Sequence, residues 1–134
     1  MFSRKKQPAI RSLIGAGTTI TGKFSFEEGL RVDGAVKGDI EASGDKGSML
    51  VISEHATVEG SIRADHVVVN GTVHGPIHAA ELLELQPKAR IHGDVQYAAL
   101  EMHQGAVIDG TLSPLKAGGM ADAKPALVLA ASNQ

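Results

Sequence analysis

VDGAVKGDI occupies residues 32–40 and VNGTVHGPI residues 69–77. Both share one pattern: aliphatic, any residue, Gly, any residue, aliphatic, any residue, Gly, any residue, Ile. Their shared core, aliphatic-x-Gly-x-apolar, recurs as ITGKF, VKGDI, VEGSI, VHGPI, IHGDV and IDGTL. The central glycines are Gly22, Gly38, Gly60, Gly75, Gly93 and Gly110, spaced 16, 22, 15, 18 and 17 residues apart. The long step contains EASGDKGS, a polar, Gly-rich stretch that reads as a loop insertion. A second column, LRV, LVI, VVV, LEL and LEM, starts at residues 30, 50, 67, 83 and 100, in phase with the first. Two independent columns at one period mark a repeat architecture.

Inside each phrase the period is two, so each reads as a short strand with one face inward. Val58 and Ile62 point in and Glu59 and Ser61 point out, with the intervening glycine also facing in. Strands this short do not stand alone as hairpins. Stacked at a period near 17 residues they form a parallel coil, a β-solenoid, in which each rung pairs with the next. About six to seven rungs, each ~4.8 Å deep, give a rod roughly 30 Å long. The two doubled phrases arise where a turn is shortened. Val32 to Val36 and Val69 to Val73 are four residues apart, whereas Ile52 to Val58, Leu85 to Ile91 and Met102 to Ile108 are six. The first rung starts at Leu13-Ile14, because Ile14 to Ile20 is again six.

Composition agrees with a thin aliphatic core. The chain of 134 residues is 43% hydrophobic, yet has no Trp, one Tyr and three Phe. With no cysteine, a disulfide framework, a thiolate zinc site and a cysteine nucleophile are all excluded. Charge is unevenly spread. Residues 1–12 carry four basic residues and no acid, while residues 13–112 carry 7 basic and 14 acidic ones. An acidic body without stacking aromatics does not suit nucleic acid. MFSRKK begins like a signal peptide, but Pro8, Arg11, Gly15 and Gly17 interrupt any apolar run. No stretch is long enough to span a bilayer, and a cytoplasmic protein is expected.

Three segments follow: a basic flexible tail over residues 1–12, a solenoid over 13–112, and a Pro/Ala/Gly-rich flexible tail over 113–134. A solenoid exposes unpaired backbone and a slice of core at each end unless something caps it. The N-terminal flank shows no apolar helical stripe. In the C-terminal flank ALVLAAS has the composition of a short capping helix. Uncapped ends predict self-association into an open filament. The joints are then the apolar residues of the terminal rungs: Leu13, Ile14, Ile20 and Phe24 at one end; Leu100, Met102, Val107, Ile108 and Leu112 at the other. All nine are read as facing inward.

LIGAGTTITGKF (13–24), LRVDGAVKGDI (30–40), the glycine columns, the short basic N-terminus and the Pro-containing tail resemble the bactofilin family. The resemblance covers residues 13–112. It implies a right-handed parallel β-helix that assembles without nucleotide. It also implies a bacterial cytoskeletal scaffold at the inner face of the cytoplasmic membrane, which places peptidoglycan-synthesising or peptidoglycan-cleaving proteins and affects cell shape. Family members often begin Met-Phe with basic residues nearby, and Met1, Phe2, Arg4, Lys5 and Lys6 match that membrane-targeting pattern. Physics agrees: a basic residue near an anionic leaflet contributes about 1 kcal/mol, and a filament multiplies weak tails by avidity.

No catalytic, cofactor or metal site is expected. His74 and His92 share the slot before the rung glycine and should stack near Glu59, but a third ordered ligand is missing. His55, His66, His78 and His103 form no evident set. GAGTTITG lacks the ending of a phosphate-binding loop. Outward Val51 and Val68 sit in adjacent rungs where neighbouring rungs carry Arg31, Glu84 and Glu101, a small apolar spot suited to a lateral contact. Two alternatives stand beside the filament. One is a monomeric solenoid adaptor with capped ends. The other is a hexapeptide-repeat acyltransferase, which the mixed spacings of four, five and six disfavour.

Overall fold

A computed structural model describes residues 10–44 and 47–115, and the strand course of 124–129. The described residues form an all-β parallel solenoid of six coils without a helix. The first coil holds β1 (Ser12–Ile14), β2 (Thr19–Thr21) and β3 (Phe24–Phe26). The second holds β4 (Gly29–Val32), β5 (Ala35–Lys37) and β6 (Ile40–Ala42). β7 (Met49–Ile52), β8 (Thr57–Glu59) and the start of β9 (Ile62–Val69) make the third. The end of β9, β10 (Thr72–His74) and the start of β11 (Ile77–Leu85) make the fourth. The end of β11, β12 (Arg90–His92) and the start of β13 (Val95–Met102) make the fifth. The sixth runs from the end of β13 through β14 (Val107–Pro114). A last strand, β15 (Lys124–Leu129), follows.

Three parallel faces result. The first stacks β1, β4, β7 and the ends of β9, β11 and β13. The second stacks β2, β5, β8, β10, β12 and the start of β14. The third stacks β3, β6 and the starts of β9, β11 and β13, ending on the last residues of β14. The register follows the two sequence columns. Val32 pairs with Ile52 and Val36 with Val58, although the first turn is two residues shorter. The inward column Val36, Val58, Val73, Ile91 and Ile108 is fully buried, as are Leu50, Ile52, Val69, Leu83 and Leu85.

The repeated phrase spans a corner and is not one strand. β8 ends at Glu59, and Gly60 turns the chain into β9. Gly22, Gly38, Gly60, Gly75 and Gly93 all take φ between 137° and 153°, which only glycine adopts without strain. They stack along the rod axis: a Cβ on Gly60 would overlap the carbonyl oxygen of Gly38 in the coil before. The glycine therefore faces its neighbouring coil rather than the core. Its N–H continues the inter-coil ladder, Gly38 donating to Glu59 and Gly60 to His74, at 2.9 and 3.0 Å.

The residue after each glycine completes the corner. Asp39 Oδ1 accepts the Ser61 N–H at 2.9 Å, and Asp94 Oδ1 accepts that of Thr111 at 3.1 Å. The bond from the Ser61 N–H, then that from its hydroxyl, hold the Asp39 carboxyl below its ordinary range. Pro76 follows Ser61 in this column and needs no acceptor, having no N–H. The insertion after β6 is anchored by Ser48, which is buried: Ser48 N–H donates to Asp65 Oδ2 and Asp65 N–H donates to Ser48 Oγ. Opposite Asp65 the fifth coil carries one extra residue, a bulge between Ala79 and Leu82.

Two predictions test this core. Val69→Asp places a carboxylate where no partner reaches it, and should cost about 4 kcal/mol or more, read as lost soluble expression or a collapsed thermal transition by circular dichroism. Gly60→Ala forces strained backbone against Gly38, and a loss of about 1–3 kcal/mol is expected in the same thermal scan.

Candidate assembly interface

At the first coil, β1 pairs only with β4, β2 only with β5 and β3 only with β6. The other edge of each strand has no partner among the described residues. Ile14, Ile20 and Phe24 occupy the inward register of Val32, Val36 and Ile40. They are half-buried where those partners are fully buried, because no further coil among the described residues lies over them.

Leu13 differs from the sequence reading. It pairs with Arg31 on the outer side of the first face, and Ser12 takes the inward register of Leu30. Leu13 is 60% exposed and Ile10 44%, the two large apolar side chains most open to solvent among the described residues. The outward turn follows from parity: Ile14 must match Val32, so its neighbour must point away. Arg11, nearby, pairs with Glu28 at 3.2 Å.

The last coil is covered unevenly. Leu100 and Met102 take the inward register of Leu83 and Leu85, and Leu112 that of Val95; all three are half-buried. Ile108 in the same coil is fully buried. β15 runs antiparallel along β14 from Val107↔Leu129 to Leu112↔Lys124, so it flanks both the buried Ile108 and the half-buried Leu112 and pairs with neither Leu100 nor Met102. The apolar ALVL run thus lies in a strand rather than a helix. Val107 is also corrected: it pairs with Arg90 on the outer side of the second face and is no inward core residue.

Val51 and Val68 stack outward in register, with Arg31 on one side and Glu84 on the other. Both are half-buried and line a groove of about 510 Å³ with Asp33, His55 and Gln86. The Ser53 hydroxyl, then Arg31, hold the Asp33 carboxyl below its ordinary range. On the third face a second groove of about 340 Å³ is lined by Arg63, His78, Gln96 and Ser113. Burial there, then the charge of Arg63, lowers the pKa of His78.

His74 and His92 do stack, with ring centroids 4.8 Å apart and planes 8° from parallel. Glu59 pairs in register with His74, and Asp109 lies 3.8 Å from His92. Sequence reading missed another set. Glu84 Oε1 lies 3.9 Å from His66 Nε2 and Glu84 Oε2 lies 3.5 Å from His103 Nε2, across three coils. The signal was available: His66 flanks VVV and His103 flanks LEM, one on each side of the column holding Glu84. Among the described residues, no group of three or more His, Cys, Asp or Glu is arranged to hold a metal ion. No helix among them is long and apolar enough to cross a membrane. The segment holding Met1, Phe2, Arg4, Lys5 and Lys6 lies outside the described residues.

Comparison with known proteins converges on one family. A family profile described as "Bactofilin: Polymer-forming cytoskeletal" matches residues 12–113. The chain is 29% identical over 111 residues to bactofilin BacO of Myxococcus xanthus, covering 83% of this chain and 85% of that protein. It is 26% identical over 119 residues to bactofilin BacP of the same organism, covering 87% of this chain and 48% of BacP, so it spans about half of BacP's length. No solved structure matches. With the profile covering most of the chain and the six-coil solenoid beneath it, this protein belongs to the bactofilin family of polymer-forming cytoskeletal proteins.

Proposed function

We propose that this bactofilin polymerises by stacking the ends of its solenoid, without nucleotide. We further propose that it lies peripherally on the inner face of the cytoplasmic membrane and acts as a scaffold positioning cell-wall or cell-shape proteins. It is read as a scaffold and not as an enzyme. The observation carrying the assembly reading is the first coil, whose outer edge has no partner among the described residues. Three strands there offer unpaired backbone, and Ile14, Ile20 and Phe24 sit half-exposed above the core. Unpaired strand edges over an apolar slice are a template for another chain, and repeated contacts of this kind build a filament. At the other end Leu100, Met102 and Leu112 supply the matching slice.

The membrane reading rests on Met1, Phe2, Arg4, Lys5 and Lys6. Three cationic side chains and one apolar ring give weak single-molecule binding to an anionic surface, and a filament carries many copies of them. Val51 and Val68 on the flank are the proposed lateral or partner contact.

Electron microscopy in plain buffer should show thin filaments. Ile14→Asp and Leu112→Asp should each dissolve them while circular dichroism stays β-rich; filaments that survive both changes would place the joints elsewhere. Replacing Arg4, Lys5 and Lys6 together by Ala should weaken co-sedimentation with phosphatidylglycerol vesicles on the order of a hundredfold per molecule, leaving filaments intact.

A further inference from the structure

Every strand pairing among the described residues is parallel except one. β15 runs antiparallel along β14 and occupies its outer edge from Val107 to Leu112. Two features of the last coil accompany it. Ile108 is fully buried, whereas Ile20, its counterpart in the first coil, is not. Gly110 alone of the six rung glycines does not take the positive φ of the corner; β14 runs on through it as one strand, with Gly110 paired to Ala126. The last coil keeps the parallel register of the others, Ile108 on Ile91 and Leu112 on Val95, and its outer edge is taken by the antiparallel strand.

We infer that Lys124–Leu129 is a removable cap, an autoinhibitory strand lying on the edge through which a second copy of this chain adds at the C-terminal end. An edge strand has one row of free N–H and C=O groups. Neither a neighbouring solenoid nor β15 can use that row while the other holds it. Eight residues, including Gly118-Gly119, separate Leu115 from Lys124 in sequence, and joining elements so close along a chain carries a small closure cost. The first coil has no such cover among its described residues, so the two ends of the rod differ in readiness to assemble. The inference rests on the end-stacking reading above.

The test uses the full chain, which has no cysteine of its own. Asp109 and Leu127 are register partners, and directly paired strand residues lie within disulfide reach. Asp109→Cys with Leu127→Cys is oxidised at low concentration, and filament onset is followed by sedimentation and negative-stain microscopy. A cap in place nine-tenths of the time raises the onset concentration about tenfold, and locking it raises the onset further. If locking leaves about one molecule in a hundred open, the oxidised protein should assemble about tenfold less readily than the same protein after reduction. Leu127→Pro and Val128→Pro are made separately. In an antiparallel ladder alternate residues turn their N–H to the partner, so one of the two breaks the pairing. That variant should assemble at a lower concentration than the unaltered chain.

A cysteine pair that does not oxidise in the folded monomer would overturn the cap, as would equal onset in the locked, reduced and proline forms. Either result, with filaments present, leaves end-stacking standing. Absence of filaments in every form, with β-rich circular dichroism retained, would sink end-stacking and the cap with it.

Discussion

The backbone ladder of this molecule runs along the rod axis and never closes on itself. Each coil satisfies its N–H and C=O groups by pairing with the coil before and the coil after, through strands and corners alike. A sheet closed into a barrel has no edges; a solenoid keeps one at each end. In the end-stacking proposal, polymer formation answers that geometry, because another coil can satisfy the free edge of a terminal coil.

The same axial stacking dictates composition. Coils separated by one strand spacing leave a narrow interior, filled by Val, Ile, Leu and Ala in columns. Large aromatics fit poorly within the stack, and Phe24 and Phe26 lie in the first coil on the third face. Corners must bring backbone onto backbone, so Gly38, Gly60, Gly75 and Gly93 each rest against the glycine before them. The phrase that identifies the fold in the sequence is the imprint of this corner.

Parity explains where the sequence was harder to read. In VEGSI the polar residues assign the inward side without ambiguity. Ser12-Leu13-Ile14 and Ala106-Val107-Ile108 present apolar residues on both parities. Only pairing with Leu30 and Val32, and with Arg90 and Ile91, turns Leu13 and Val107 outward. His66, Glu84 and His103 were likewise scattered in the chain and met only through inter-coil register.

The sequence by itself determined the coil. Its period, its inward columns, its shortened turns and its corner glycines are local chemistry repeated, and repetition makes local rules decisive. Tertiary structure alone decided what happens at the ends. There the repeat stops, and no neighbouring copy of the motif constrains the next residue. Whether Ala126–Leu129 forms a helix or a strand depends on which free edge lies within reach. An apolar run of four residues suits either state, and the unpaired edge of β14 selects the strand.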